Sequence, residues 1–249
     1  MASRLKFIVA YDGRPFAGWQ SQANGNAVQD HLERAFAIVT KGPVRVHGAG
    51  RTDAGVHALG QCAHVVLPAR TLQTAQWVAA LNTNLPPTIR VLRCSYAGAT
   101  FHARFSARGK VYRYRIWNDA ILPPLEFGRA WHVPLPLDLA ALRREATSLV
   151  GTHDFSGFAA NRGHRVDDTT RTLRAVTVRR RGKCLLLECS GDGFLYKMVR
   201  LIAGALVRCG LGKDSAGAIA LRLRNPAATA PGARLVAPAE GLFLVRVRY

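Results

Sequence analysis

The 249-residue sequence predicts an α+β protein made of two halves that each mix strands with helices. Strand-like and helix-like patterns follow one another through the first hundred residues as β-α-β-loop-β-α-β, and the second half contains a similar mixture. Hydrophobic residues make up 49% of the chain, enough for a sizeable core. We therefore expect one domain at residues 1–104 and another at residues 105–249. We expect the two to form a pseudo-symmetric pair with largely antiparallel sheets around a central basic cleft.

The first half begins with an alternating apolar pattern that predicts a strand at residues 5–11. Apolar residues at helical spacing predict a helix at residues 28–39, with Asn26 as its N-cap. Further strands are predicted at residues 44–46, 61–67 and 89–93, and a second helix at residues 74–81.

The second half is predicted from the same two periodicities. Residues 111–116 alternate strictly, which indicates a strand carrying Tyr112 and Tyr114 on one face. A strongly apolar helix begins near Leu195, and Arg200 falls nearly opposite the centre of its apolar stripe. That position suits either bulk solvent or a wet cleft. The remaining elements are helices at residues 138–150 and 215–223 and strands at residues 183–189 and 243–249.

The charge balance indicates a polyanionic partner. Lysine and arginine number 35 against 15 acidic residues, a formal net charge of +20. Nucleic acid is the leading candidate, and an anionic membrane surface is a distant second. In the most basic stretch, residues 161–183, the charges suit a solvated hairpin and phosphate contacts about equally. Its basic residues are Arg162, Arg165, Arg171, Arg174, Arg179, Arg180, Arg181 and Lys183.

Several classes of protein are not indicated. No apolar run is long enough to span a bilayer, and the chain begins directly with a strand pattern, so we expect a cytoplasmic protein. The five cysteines are scattered and form no Cys-x-x-Cys pair, which argues against a disulfide framework or a zinc ribbon. We expect buried thiols in a reducing compartment.

The most informative stretch is residues 48–58, between two predicted strands. Three glycines within eight residues permit tight turns, and Arg51, Asp53 and His57 lie among them. One interpretation is an ordinary turn in which Asp53 bonds its own backbone. The other is a loop that holds an ionised carboxylate near an arginine, ready to act as a nucleophile. For His57 no third orienting residue is identifiable, so we assign it a structural role.

Residues 50–58 read Gly-Arg-Thr-Asp-Ala-Gly-Val-His-Ala, which resembles the active-site loop of the tRNA pseudouridine synthase A family. The resemblance extends over nearly the whole chain. It includes Tyr-Asp-Gly and Gly-Trp-Gln near the start, the Phe-His-Ala-Arg-Phe segment, the Met-Val-Arg helix and the segment that leads into the last strand. It implies the pseudouridine synthase fold and isomerisation of uridines 38, 39 and 40 in the tRNA anticodon arm. It also implies a homodimer and no cofactor or metal.

The resemblance implies a role for each matched residue. Asp53 is the catalytic nucleophile, and Arg200 pairs with it. Arg51 occupies the space of the extruded nucleotide, and Tyr112 stacks on the flipped base. Two further substrate-binding residues are implied, Leu242 near the base and Arg104. The sequence departs from the family pattern on either side of Met-Val-Arg, at Lys197 and Leu201.

Two other functions compete with this one. A non-catalytic RNA-binding protein would use the same basic surface without depending on Asp53. A nucleic-acid hydrolase would need a second catalytic carboxylate or a metal cluster, and neither is evident in the site segments. A zinc base deaminase is excluded because its His-x-Glu and Pro-Cys-x-x-Cys pattern does not occur. The sequence leaves open the preferred uridine, the tRNA set and the order of bond-breaking steps.

Overall fold

The computed structural model describes residues 3–23, 25–160, 168–226 and 235–249. The chain divides into two compact units, one formed by Met1–Arg108 with Phe243–Tyr249 and the other by Gly109–Leu242. Both units contain helices and a mostly antiparallel sheet, which confirms the α+β class. The domain boundary at residue 104 stays a prediction; in the structure the chain divides after Arg108 and its last strand returns to the first unit.

The first unit is built on a sheet in the order β4-β1-β3-β10, with the short strand β2 also paired to β3. All its pairs are antiparallel except β10 with β3, which is parallel. Its elements are β1 (Ser3–Tyr11), α1 (Val28–Thr40), β2 (His47–Gly48), β3 (His57–Leu67), α2 (Thr74–Thr83), β4 (Ile89–Ala97) and β10 (Leu242–Arg248), whose residues from 243 onward belong to this unit.

The core of this unit follows from the sequence alternation. Every second residue of β1 is buried, and α1 packs its apolar face toward the same core. The rings of Phe7 and Phe36 lie 5.3 Å apart, and Trp77 of α2 lies 5.6 Å from Phe36. Three aromatic rings from a strand and two helices therefore join these elements into one apolar layer.

Two local predictions in this unit are wrong, and both have a physical reason. The N-cap of α1 is Ala27 rather than Asn26, because the Asp30 carboxylate accepts the Ala27 N–H at 2.8 Å. The strand predicted at residues 44–46 is absent. Side chains of α1 satisfy the main chain of Val46 instead: its N–H donates to Glu33 (3.0 Å) and its carbonyl accepts from Gln29 (3.2 Å).

The second unit has the sheet order β5-β9-β8-β7, all antiparallel, with β6 pairing parallel to β5. Its elements are β5 (Gly109–Trp117), β6 (Trp131–His132), α3 (Leu139–Thr147), β7 (Gly151–Asp154), β8 (Thr170–Arg181), β9 (Cys184–Gly191), α4 (Met198–Gly210) and α5 (Ala218–Arg224).

Helix α4 is the core helix of the second unit. It begins at Met198, so Leu195 precedes it instead of belonging to its apolar stripe. Nearly all of its residues are buried, whereas Arg200 and Arg208 are partly exposed. The buried carboxylate of Glu145 on α3 accepts the Gly217 N–H at 2.9 Å, which ties α3 to the start of α5.

The basic stretch of the sequence forms much of β8. Arg174 and residues 179–181 are exposed along this strand. Arg162 and Arg165 lie outside the described residues. All five cysteines are buried and free, as the sequence predicts. Within the described ranges, no helix is both long and apolar enough to cross a membrane.

Candidate active site

The candidate site in the first unit is the loop between β2 and β3, residues 49–56. Asp53 is half-buried there, and its main-chain carbonyl accepts the Val56 N–H at 3.1 Å to close a turn. Gly55, within that turn, has a φ of +78°, a backbone conformation that glycine adopts without steric cost. The turn therefore fixes the backbone from which the Asp53 side chain extends.

Both flanks of the loop are anchored to strands. The Ala49 N–H donates to Cys62 O at 2.8 Å, and the buried amide of Gln61 donates to Gly50 O at the same distance. On the other flank the buried Thr52 hydroxyl lies 2.8 Å from the Tyr11 hydroxyl at the end of β1. These contacts fix the backbone immediately before and after Arg51.

The segment that follows β1 packs against the same loop. The Trp19 N–H donates to Thr52 O at 3.0 Å. Gly18 makes this approach possible: its φ is +96°, and a Cβ there would lie 2.7 Å from Thr52 O. The Gly-Trp-Gln motif thus forms one wall of the loop that carries Asp53.

His57 is a buried structural residue, in agreement with the role assigned from the sequence. Its ring is 3% exposed and stacks on Phe243 with ring centroids 4.5 Å apart. Its Nδ1 accepts the Gly13 N–H at 3.2 Å and lies 3.3 Å from Asp12 Oδ1. These contacts join β3 to β10 and to the turn after β1.

The Asp12 carboxylate is the acidic group that lies beside His57 in this arrangement. Burial alone would raise the pKa of Asp12, but hydrogen bonds from the side chain and backbone of Arg14, together with the charges of His57 and Arg14, lower it below its ordinary value. The stability that Asp12 contributes is therefore present at neutral pH. It is lost as the pH falls through the lowered pKa.

Arg51 is exposed, yet its direction is set by a neighbour. Its Nε donates to Gln20 Oε1 at 3.1 Å, and Gln20 Nε2 donates to Gln29 Oε1 at 2.8 Å. Neither glutamine is among the site residues predicted from the sequence. A signal was nevertheless present: Gln20 belongs to the Gly-Trp-Gln motif, and Gln29 is a polar residue on the inward side of an amphipathic helix.

Arg104 lies on an exposed turn beside a group of four rings, namely those of His47, His64, His102 and Phe105. The Arg104 guanidinium lies 5.7 Å from the Phe105 ring, which in turn lies 4.4 Å from His102. His102 lies 4.7 Å from His64, and His47 stacks on His64 at 5.1 Å. His102 Nδ1 accepts the Arg104 N–H at 3.2 Å, which fixes the turn.

We expect His64 to make the stability of the protein depend on pH. Burial, followed by the charges of His102, His47 and Arg4, lowers the pKa of His64 to about 4. The unfolded chain therefore binds a proton that the folded chain does not, so the stability is complete above about pH 6.5 and falls as the pH drops toward 4. The loss in unfolding free energy should reach roughly 2–3 kcal/mol.

This dependence can be measured by urea unfolding between pH 7.5 and 4.5. The matched variant is His64→Asn, whose side-chain oxygen can still accept the Ala103 N–H that His64 Nδ1 accepts at 3.2 Å. We expect a shallower loss of stability in the variant. The pKa of His102 is also lowered, chiefly by burial, so part of the slope remains. Identical slopes in the two proteins would contradict the assignment.

In the second unit, Tyr112 lies on β5 opposite Cys189 of β9. Its side chain is 8% exposed, and its ring meets that of Phe194 edge-on with centroids 5.0 Å apart. Tyr114, two residues along, is fully buried and donates its hydroxyl to Pro238 O at 2.7 Å. Burial raises the pKa of Tyr114 well above its ordinary value, as befits a structural residue.

Arg200 lies in the first turn of α4 and contacts the segment before the last strand. Its Nε donates to Ala237 O at 2.8 Å, and its own carbonyl accepts the Ala237 N–H at 3.1 Å. The first of these bonds sets the direction of the side chain. Leu242, the first residue of β10 after that segment, is buried.

The two departures from the family pattern flank this turn. Lys197 is the N-cap of α4 with a φ of +57°, and its Nζ lies 5.1 Å from the Tyr196 ring. Leu201 is buried in the core of the second unit.

The sequence-predicted site residues thus fall into two sets. Arg51, Asp53 and Arg104 belong to the first unit, and Tyr112 and Arg200 to the second. Leu242 is the last residue of the second unit. Their roles toward a substrate stay predictions. Across the part of the chain that the structure describes, no group of three or more His, Cys, Asp or Glu side chains is placed to hold a metal ion.

The fold and the candidate site define an α+β protein in which a glycine-containing loop carries an arginine and an aspartate and leads into a strand that begins with a buried histidine. The family described as tRNA pseudouridine synthase matches this chain at residues 7–106 and 146–249. A relative named tRNA pseudouridine synthase A from Akkermansia muciniphila is 45% identical, over 99% of this chain and 95% of its own.

Two further relatives carry the same name. That from Afipia carboxidovorans is 44% identical over 99% of each chain, and that from Halalkalibacterium halodurans is 42% identical over 96% of this chain and 90% of its own. The chain belongs to the tRNA pseudouridine synthase family.

Proposed function

We propose that this protein converts uridine to pseudouridine in tRNA, with Asp53 as the nucleophile. The observation that carries the proposal is the family match, which includes the whole Asp53 loop and both flanking strands. The loop is also built for a fixed geometry, because hydrogen bonds hold the backbone on both sides of Arg51. A held backbone at Asp53 suits nucleophilic catalysis, in which the attacking atom must be kept close to its target.

The proposed reaction is an isomerisation, so no atom is gained or lost overall. The bond between N1 of uracil and C1′ of the ribose breaks, and a bond between C5 and C1′ forms. The C5 proton is released and N1 acquires one. Asp53 either attacks the uracil ring or promotes departure of the base from the ribose. Both routes need only one carboxylate. The chemistry requires no redox step.

The remaining site residues are proposed to handle the substrate. Arg51 fills the space left by the extruded nucleotide, and Tyr112 stacks on the flipped base. Arg200 pairs with Asp53 and stabilises its charged form. Leu242 contacts the base, and Arg104 binds the RNA. In support, Arg51 and Arg200 are each held in a defined direction by a hydrogen bond within their own unit.

The proposed substrate is the anticodon arm, with uridines 38, 39 and 40 as targets. The formal charge of +20 and the exposed arginines of β8 suit phosphate contacts over an extended RNA surface. A homodimer in the cytoplasm is proposed with it, by analogy with the family. Five free, buried thiols are consistent with a reducing compartment.

The test is release of tritium from tRNA transcripts labelled at C5 of uridine. Isomerisation must expel the C5 hydrogen, so we expect release that saturates at one equivalent per target uridine. Transcripts that keep a single uridine among positions 38, 39 and 40 would show which of these positions is modified. Tight tRNA binding without release from any transcript would instead favour the non-catalytic RNA-binding protein.

A further inference from the structure

The Arg51 side chain is linked to the protein core through two glutamines. Arg51 Nε donates to Gln20 Oε1 at 3.1 Å, and Gln20 Nε2 donates to Gln29 Oε1 at 2.8 Å. Arg51 is exposed, Gln20 is half-buried and Gln29, in the first turn of α1, is 2% exposed. The link therefore passes from a solvated cation to a side chain that cannot move without disturbing the core.

The orientation of the Gln29 amide is fixed by main-chain groups. Its Oε1 accepts the Ser21 N–H at 3.1 Å, and its Nε2 donates to the Val46 carbonyl at 3.2 Å. The same nitrogen donates to Glu33 Oε1 at 2.8 Å. An N–H can only donate and a carbonyl can only accept, so the amide cannot be reversed without losing these bonds.

This orientation determines that of Gln20. Because Gln29 presents its oxygen, Gln20 must turn its nitrogen toward Gln29 and its own oxygen toward Arg51. The oxygen is the only end of the amide that can bind a guanidinium, which has donors alone. The backbone reinforces the arrangement, since Trp19 donates to Thr52 O and accepts from Gln29 N, both at 3.0 Å. Residue 20 is thus held between the loop and α1.

We infer that Gln20 is a positioning residue, aligned by Gln29, that orders the Arg51 guanidinium before RNA binds. The inference rests on the proposed function, in which Arg51 fills the space of the extruded uridine. An arginine side chain has many rotamers, and one that is ordered in advance loses less entropy when it enters the duplex. This saving in entropy raises the rate most for a uridine that must first be unpaired and unstacked. For such a uridine the reaction depends on Arg51, which stabilises the extruded state.

The experiment compares two anticodon-arm RNAs that differ at one position. In one, the target uridine is paired with adenosine; in the other it faces a mismatched cytidine. Single-turnover tritium release is measured with Gln20→Ala, Arg51→Ala and the double variant. The matched control is Gln22→Ala, an exposed glutamine of the same segment whose amide donates to Ala17 O instead. Thermal unfolding of each variant is recorded alongside.

We expect Gln20→Ala to slow release from the paired RNA by about 10-fold, the effect of losing one hydrogen bond to a charged group. From the mismatched RNA the loss should stay below about 3-fold. The double variant should be no slower than Arg51→Ala, because Gln20 acts through Arg51. Gln29→Met changes a residue that bonds to Gln20 and not to Arg51, and it should also slow release from the paired RNA. Gln22→Ala should match the wild type on both RNAs.

Equal losses on the two RNAs, or additive losses in the double variant, would overturn the positioning role while leaving the proposed function intact. A merely structural role for Gln20 would produce the first of these patterns. If the wild-type protein released tritium from neither RNA, the proposed function would be overturned, and this inference with it.

Discussion

Replacing Asp53 with asparagine should abolish isomerisation while tRNA binding is retained. Asparagine has nearly the same shape but no anionic oxygen, so it cannot act as a nucleophile at neutral pH. The turn around residue 53 should survive, because the Val56 N–H donates to the main-chain carbonyl of residue 53, which the substitution leaves in place. We expect single-turnover tritium release to fall by at least about 10³-fold. The tRNA dissociation constant, measured by filter binding, should change by less than about 3-fold.

The control for this variant is Asp119→Asn, which makes the same chemical change on the surface of the other unit. Asp119 lies 3.3 Å from Lys183 in an exposed ion pair, so its loss should leave release within about 2-fold of the wild type. If Asp53→Asn kept more than a tenth of the wild-type rate, Asp53 would not be the nucleophile. Catalysis would then need another group.

The sequence predicts the elements of this fold well where a local period is strong. The alternation in β1 and β5 and the helical spacing in α1 correspond to buried faces in the structure. Strands and helices of this kind are determined by which side chains leave water, and that information is local. The Asp53 loop is equally visible, because its glycines and polar residues are contiguous.

Contacts between distant residues account for what the sequence did not predict. The strand expected at residues 44–46 fails because Gln29 and Glu33, more than ten residues earlier, bind the main chain of Val46. The last strand pairs in parallel with β3, which joins Phe243 to His57 although most of the chain separates them in sequence. No periodicity encodes such a pairing. For the same reason the link from Arg51 to Gln29 became visible only in three dimensions.

Replacing Gly18 with alanine should damage both the stability of the protein and its activity. Residue 18 has a φ of +96°, and a Cβ there would lie 2.7 Å from Thr52 O, 3.1 Å from Ala54 N and 3.2 Å from Asp53 C. The unfavourable φ costs about 1 kcal/mol, and the overlap adds roughly 1–3 kcal/mol. The loop cannot yield without moving Asp53, and a 1 Å displacement of a catalytic group lowers rates by about 10²-fold.

The variant Gly25→Ala separates the effect of the unfavourable φ from that of the steric overlap. Gly25 also has a positive φ, +63°, but among the described residues other than its chain neighbours no atom would lie within 4 Å of a Cβ there. It should therefore lose about 1 kcal/mol of unfolding free energy, with its single-turnover rate unchanged. Gly18→Ala should lose more stability and, in addition, release tritium about 10²-fold more slowly at a temperature where it is fully folded. If both variants lost the same stability and kept their rates, the contact between residue 18 and the loop would not position Asp53.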